Sequence, residues 1–163
     1  EAKTGANYAA SLRAQRRAQK AGYNQVLWLD AKEHRYVEEV GTSNIFFQID
    51  GKVITPPLGG TILPGVTRDS VIRLLKSWDV PVVEERITID EVMAAAAAGT
   101  LEEAFGTGTA AVISPVGVFG YEGQDVEVNG AQVGPLAQRL YDALTGIQYQ
   151  REPDPFEWTT PVP

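Results

Sequence analysis

The dipeptide Asp50-Gly51 separates two stretches of strand-forming residues, 44–49 and 52–54. A two-residue hairpin turn needs positive φ at both central positions, which Asp tolerates and Gly adopts freely. The pair therefore predicts an antiparallel hairpin. Around it, strand-like and helix-like stretches mix without the strict alternation of a βαβ chain, which predicts an α+β domain. No internal repeat and no linker composition divides the chain.

The remaining elements follow from local signals. Residues 7–21 predict a helix with Asn7 as N-cap and Gly22 at the left-handed C-terminal position. The apolar run Gln25-Val26-Leu27-Trp28-Leu29 predicts a short strand buried on both faces, and residues 36–39 another strand. Pro64-Gly65-Val66-Thr67 opens an amphipathic helix. Val71, Leu74, Leu75 and Trp78 recur on its inner face, with Arg68, Asp69, Arg73 and Lys76 opposite. Residues 82–89 predict a strand. Thr88-Ile89-Asp90-Glu91 has capping-box spacing before an alanine-rich helix that Gly99 ends. Gly106-Thr107-Gly108-Thr109 predicts a turn between Phe105 and the apolar run 110–116, with strands at 117–121 and 124–128 beyond it. Pro135 starts a last helix at a first-turn position, and the proline-rich tail 151–163 is expected to be irregular, anchored by Trp158.

Composition narrows the chemistry. The 163 residues contain no cysteine and a single histidine, His34, so disulfides, thiolate nucleophiles and multi-histidine metal sites are excluded. A net charge of −7 with no basic patch argues against a nucleic-acid role. No apolar run approaches the roughly 20 residues of a membrane helix, so no membrane partner is expected.

Four features together point to one kind of ligand. Lys3 precedes the first helix. The adjacent Glu38 and Glu39 alternate faces on a strand, so one carboxylate points inward and needs a partner. A helix begins at Gly65-Val66-Thr67, and an N–H-rich turn follows at residues 107–110. An amine, an inward carboxylate and two anion-accepting turns suit a ligand with an aldehyde, a basic ring nitrogen and a phosphate. Pyridoxal 5'-phosphate has all three.

The stretches Lys3-Thr4-Gly5-Ala6-Asn7-Tyr8, Gln25-Val26-Leu27-Trp28-Leu29, Glu39-Val40-Gly41-Thr42-Ser43-Asn44, Leu63-Pro64-Gly65-Val66-Thr67-Arg68, Phe105-Gly106-Thr107-Gly108-Thr109-Ala110 and Leu144-Thr145-Gly146-Ile147-Gln148 resemble branched-chain amino-acid aminotransferases in order and spacing. The resemblance implies a fold-type IV pyridoxal phosphate enzyme that passes the amino group of leucine, isoleucine or valine to 2-oxoglutarate. This chain would be its C-terminal, cofactor-binding domain, residues 1–163, a pseudo-barrel of mixed strands flanked by helices. A smaller N-terminal domain is expected to be missing, and the whole enzyme to be a cytoplasmic homodimer or higher oligomer acting on small amino acids and 2-oxo acids.

By the same resemblance, Lys3 is the Schiff-base lysine and proton carrier, and Tyr8 bonds the cofactor's phenolic oxygen. Glu39 partners the pyridine nitrogen, with Glu38 facing away, and Thr42 lies beside the ring. Val66 and Thr67 offer backbone donors to the phosphate, joined by Thr109. The N–H groups of Thr109 and Ala110 receive the substrate carboxylate. Trp28, Trp78 and Phe105 are expected in the core. Some members carry a Cys-x-x-Cys switch after the Gly-Thr-Ala turn. Ala111 and Ser114 stand there instead. Two other readings stay open: a fold-type IV relative acting on D-amino acids or aminodeoxychorismate, and a fragment without activity.

Overall fold

The Asp50-Gly51 turn forms with φ of 49° and 74°, the positive pair its sequence requires. It joins β3 (Ser43–Ile49) to β4 (Lys52–Thr55) in an antiparallel hairpin. A computed structural model describes residues 5–160, with the side chains of residues 6–8 outside the description. The architecture is α+β, as expected.

Seven strands make one mixed sheet: β1 (Leu27–Leu29), β2 (Val37–Val40), β3, β4, β5 (Val82–Glu84), β6 (Leu101–Gly108) and β7 (Val112–Pro115). Its pairings are antiparallel except β4 with β5. A separate hairpin holds β8 (Val118–Tyr121) and β9 (Gln124–Glu127). The helices are α1 (Gly5–Lys20), α2 (Val66–Ser77), α3 (Ile89–Ala98) and α4 (Pro135–Gln148).

Strand β3 is the axis of the sheet. One edge pairs with β6 from Asn44 to Ile49. The other is shared, with β2 pairing at residues 43–44 and β4 at residues 47–49. Between the two partners the buried Thr55 hydroxyl donates to the Ile45 carbonyl at 2.8 Å, satisfying an acceptor the fork leaves without a ladder partner. Ile45, Phe46 and Phe47 are all fully buried because both faces of the sheet are covered. Phe46 stacks on its cross-strand partner Phe105 at 5.4 Å and packs with Val71, Leu75 and Leu140 from α2 and α4. Ile45 and Phe47 join Val37, Val92 and Phe119 on the α3 side. Trp78 and Trp158 pack against the first cluster, so the tail anchor is where the sequence places it.

Several local expectations are corrected. Helix α1 is already formed at Gly5, so Asn7 lies inside it rather than at its N-cap. Strand β1 is only half-buried. Strand β5 ends at Glu84 because its partner β4 ends at Thr55. The chain then crosses to the far side of the fork, where Ile87 accepts from Val37 N at 2.9 Å and Thr88 bridges Tyr36. Arg68 is not on a solvated face. It is 4% exposed and donates to Pro56 O at 2.9 Å and Glu84 Oε2 at 2.8 Å. Residues 106–108 extend β6 instead of turning, and the turn follows at residues 109–111.

Helix α3 has the capping box its sequence encodes. Glu91 N donates to Thr88 Oγ1 at 3.1 Å, Thr88 N donates to Glu91 Oε2 at 2.7 Å, and Gly99 closes the helix at φ 75°. The Thr88 N–H, and after it the Thr88 hydroxyl donating to Glu91 Oε2 at 2.7 Å, lower the Glu91 pKa. Asp30 is shifted the same way by the N–H groups of Arg35, Tyr36 and Glu33, which order the segment leading into β2. Replacing Thr88 with alanine should cost about 1 kcal/mol in urea denaturation. Both carboxylates have folded-state pKa values below their unfolded ones. Their contribution is therefore complete above about pH 5 and lost as pH falls below about 4. Asp30→Asn should lower the urea midpoint at pH 7, and the gap to wild type should begin to narrow as pH falls below about 4.

Candidate active site

Two turns lie side by side at one end of the sheet. Gly41-Thr42 joins β2 to β3, and residues 109–111 join β6 to β7. The first is pinned from above, since Trp28 Nε1 donates to Gly41 O at 2.8 Å. Gly41 sits at φ 57°, and a side chain there would collide with Gln25. The left-handed φ favours glycine here, whereas the Gln25 side-chain end could swing aside.

Just inside these turns, Trp28, Glu39, Asn44, Thr107 and Ile113 are successive cross-strand partners over β1, β2, β3, β6 and β7. Direct cross-strand partners share a face, so Glu39, Asn44 and Thr107 form a polar row across this end of the sheet. Glu39 is half-buried, and its Oε1 accepts from Asn44 Nδ2 and from Leu63 N, both at 3.3 Å. Glu38 accepts at 2.7 Å from Oγ1 of Thr61, two residues before Leu63. Thr107 is 2% exposed, and its hydroxyl has no hydrogen-bond partner among the described residues.

The segment 63–65 brings the start of α2 to this row. Gly65 is the N-cap of α2 and supplies no side-chain cap, so the first N–H groups are not satisfied from the cap residue. Val66 is 83% exposed and Thr67 half-buried. The buried Arg68 guanidinium is turned away towards Glu84, which ties the first turn of α2 to β5.

The opposite face of the same sheet end is open. Val40, Ser43, Gly106 and Gly108 floor a cleft of about 860 Å³ that also reaches Thr42, Thr109 and Ala110. The glycines make this room. A Cβ at Gly106 would stand 2.9 Å from Val40 Cγ1, and one at Gly108 2.9 Å from Ser43 Oγ. Tyr23 and Tyr121 form part of the far wall.

The structure thus gathers Glu39, Thr42, Val66, Thr67, Thr109 and Ala110 at one sheet end. Thr42, Thr109 and Ala110 line the cleft, while Glu39 stands on the other face near the start of α2. Lys3 lies outside the described residues, and Tyr8 is on the first turns of α1 with its side chain likewise outside the description. Sequence reasoning missed Asn44 and Thr107. The available signal was an asparagine directly before the apolar run Ile45-Phe46-Phe47, and a threonine between Gly106 and Gly108.

Comparison with known proteins bears on this arrangement. The family model for amino-transferase class IV matches residues 1–118. The chain is 58% identical over 161 residues to branched-chain-amino-acid transaminase 1 of Bacillus subtilis (strain 168), covering 99% of this chain and 45% of that protein. It therefore spans about half the length of that relative. The solved branched-chain amino acid aminotransferase of Escherichia coli superposes with a TM-score of 0.80 at 31% identity, over 96% of this chain and 48% of the other. An aminotransferase from Brucella abortus, solved bound to the co-factor PLP, does so with a TM-score of 0.75 at 28% identity, over 91% and 48%.

Gly106→Ala should destabilise the fold by about 1–3 kcal/mol in urea denaturation, because the new methyl meets Val40. Adding Val40→Ala should recover part of that loss. An additive double variant would show that the two side chains do not compete for the same space.

Proposed function

Because this chain belongs to the amino-transferase class IV family, we propose that the full-length protein is a branched-chain amino-acid aminotransferase. It would use pyridoxal phosphate to move the amino group of leucine, isoleucine or valine to 2-oxoglutarate, giving branched 2-oxo acids and glutamate. The observation that carries this reading is the convergence of Glu39, the α2 start and the 109–111 turn at one sheet end. In the same reading residues 1–163 are the cofactor-binding domain, a preceding domain completes the pocket, and the enzyme is a cytoplasmic homodimer.

The residues present fit the cofactor. The α2 N-terminus offers N–H groups that its glycine N-cap leaves open, and the helix dipole favours an anion there. The Glu39 carboxylate is already held by the Leu63 amide and the Asn44 amide group. A buried threonine hydroxyl lies in the same cross-strand row.

When bound, the cofactor supplies a carbonyl for amine exchange and an electron sink for charge at the substrate α-carbon. Lys3 would carry it and, once released, would take the proton from the substrate α-carbon as general base. Glu39 would hold the proton on the ring nitrogen, which keeps the sink effective. Val66 and Thr67 would bind the phosphate through their N–H groups, with Thr109 adding a further contact. Tyr8 would orient the phenolic oxygen, and Thr42 would stand beside the ring. The N–H groups of Thr109 and Ala110 would fix the substrate carboxylate and so choose which α-bond faces Lys3.

In the full-length protein, Lys3→Ala should leave no measurable transamination of leucine. Borohydride reduction of the wild type with pyridoxal phosphate should add the cofactor's mass to the peptide containing Lys3. Turnover of D-alanine but not leucine would instead favour a D-amino-acid branch of the family, and label on a different lysine would remove Lys3 from its role.

A further inference from the structure

Asn44 carries two contacts that no local rule for a β-strand asks for. It is 5% exposed, in a strand whose next three residues are the fully buried Ile45, Phe46 and Phe47. Its Nδ2 donates to Leu63 O at 2.9 Å and to Glu39 Oε1 at 3.3 Å. Its Oδ1 lies against Gly65, where any Cβ would collide with it. Leu63 N in turn donates to the same Glu39 oxygen at 3.3 Å. One amide group therefore touches the inward carboxylate, the segment before α2 and the N-cap of α2. It does so from the strand that is paired on both edges at this point, with Glu39 on one side and Thr107 on the other.

We propose that Asn44 is a positioning residue that holds the Glu39 carboxylate and the Gly65-Val66-Thr67 turn at a fixed separation, and so sets both ends of the cofactor site. The inference rests on the reading above that Glu39 and the α2 start hold the cofactor. A ligand whose phosphate arm leaves its planar ring at a set reach from the ring nitrogen demands such a ruler, because an error in spacing weakens one contact to satisfy the other. The chemistry also selects asparagine. A carboxylate could not donate to Glu39 or Leu63 O, and a hydroxyl has one proton where two bonds are made. Glutamine is a methylene too long for the space beside Gly65.

The test is a titration of the apo full-length protein with pyridoxal phosphate, reading the dissociation constant and the visible absorbance band. Thermal midpoints of the apo form are recorded alongside. Asn44→Asp keeps the shape, removes both donations and places a second carboxylate beside Glu39. It should weaken cofactor binding about tenfold or more and alter the band. Asn44→Ser, which retains one donor in a smaller side chain, should fall between the two and gives the reading if Asn44→Asp does not fold.

The loss should shrink when Glu39 is already glutamine, because Asn44 acts in part through that carboxylate. If Glu39→Gln alone leaves affinity and spectrum unchanged, the cofactor reading itself fails. If Glu39→Gln is impaired while folded Asn44→Asp or Asn44→Ser binds like wild type, the positioning role is overturned. A lowered apo midpoint with unchanged affinity would also overturn it, since that is what a merely structural asparagine would produce.

Discussion

The sharing of one edge of β3 between two strands is the constraint on which the rest of this molecule depends. Because β2 and β4 each take only one end of that edge, the sheet forks, and the Thr55 hydroxyl closes the ladder where the strands part. The chain leaving β4 is thereby released at the fork. It runs back past the end of β2, bringing Leu63 to Glu39 and Gly65 to Asn44 before α2 begins. A sheet with β4 paired along the whole of β3 would leave no opening there. The position of the helix start is thus a consequence of how backbone hydrogen bonds are apportioned, not of helix propensity.

Rigidity and space are then divided between the two faces at the same sheet end. On one face the polar row Glu39, Asn44 and Thr107 is backed by the stacked pair Phe46 and Phe105 and by α2 and α4. Glu103, 4% exposed on β6, accepts from Leu136 N at 2.7 Å and Ala137 N at 2.8 Å. It thereby fastens the N-terminus of α4 to the strand that leads into the 109–111 turn. On the other face Gly106 and Gly108 remove side chains where Val40 and Ser43 crowd in, leaving the cleft. A strand interior would ordinarily lose stability through two glycines so close together. Here β6 is held on both sides by β3 and β7, and that pairing offsets the loss.

Features whose physics is local were legible in the residues. Asp50-Gly51 has one good use at two adjacent positive φ values, Thr88 and Glu91 satisfy each other's backbone, and Pro135 takes the first helical position. The misreadings share a cause. Gly106-Thr107-Gly108 has turn composition, yet the space its glycines leave is used against Val40 and Ser43, residues more than sixty positions earlier. Arg68 falls at a polar position of the helix pattern, but Glu84 and the Pro56 carbonyl lie within reach only once β5 is beside β4. Residues 85–88 keep strand-like composition after their ladder partner has run out.

The sequence by itself determined the Asp50-Gly51 hairpin, the capping box and glycine end of α3 and the Pro135 start of α4, because those depend on neighbours within a few positions. The tertiary structure decided which strand would be shared, that Asn44 would join Glu39 to the start of α2, and that Thr107 would be buried in the same row. Each of these brings together groups far apart in the chain. Hydrogen-bond geometry and close packing act on distance in space, and only the folded sheet supplies that distance.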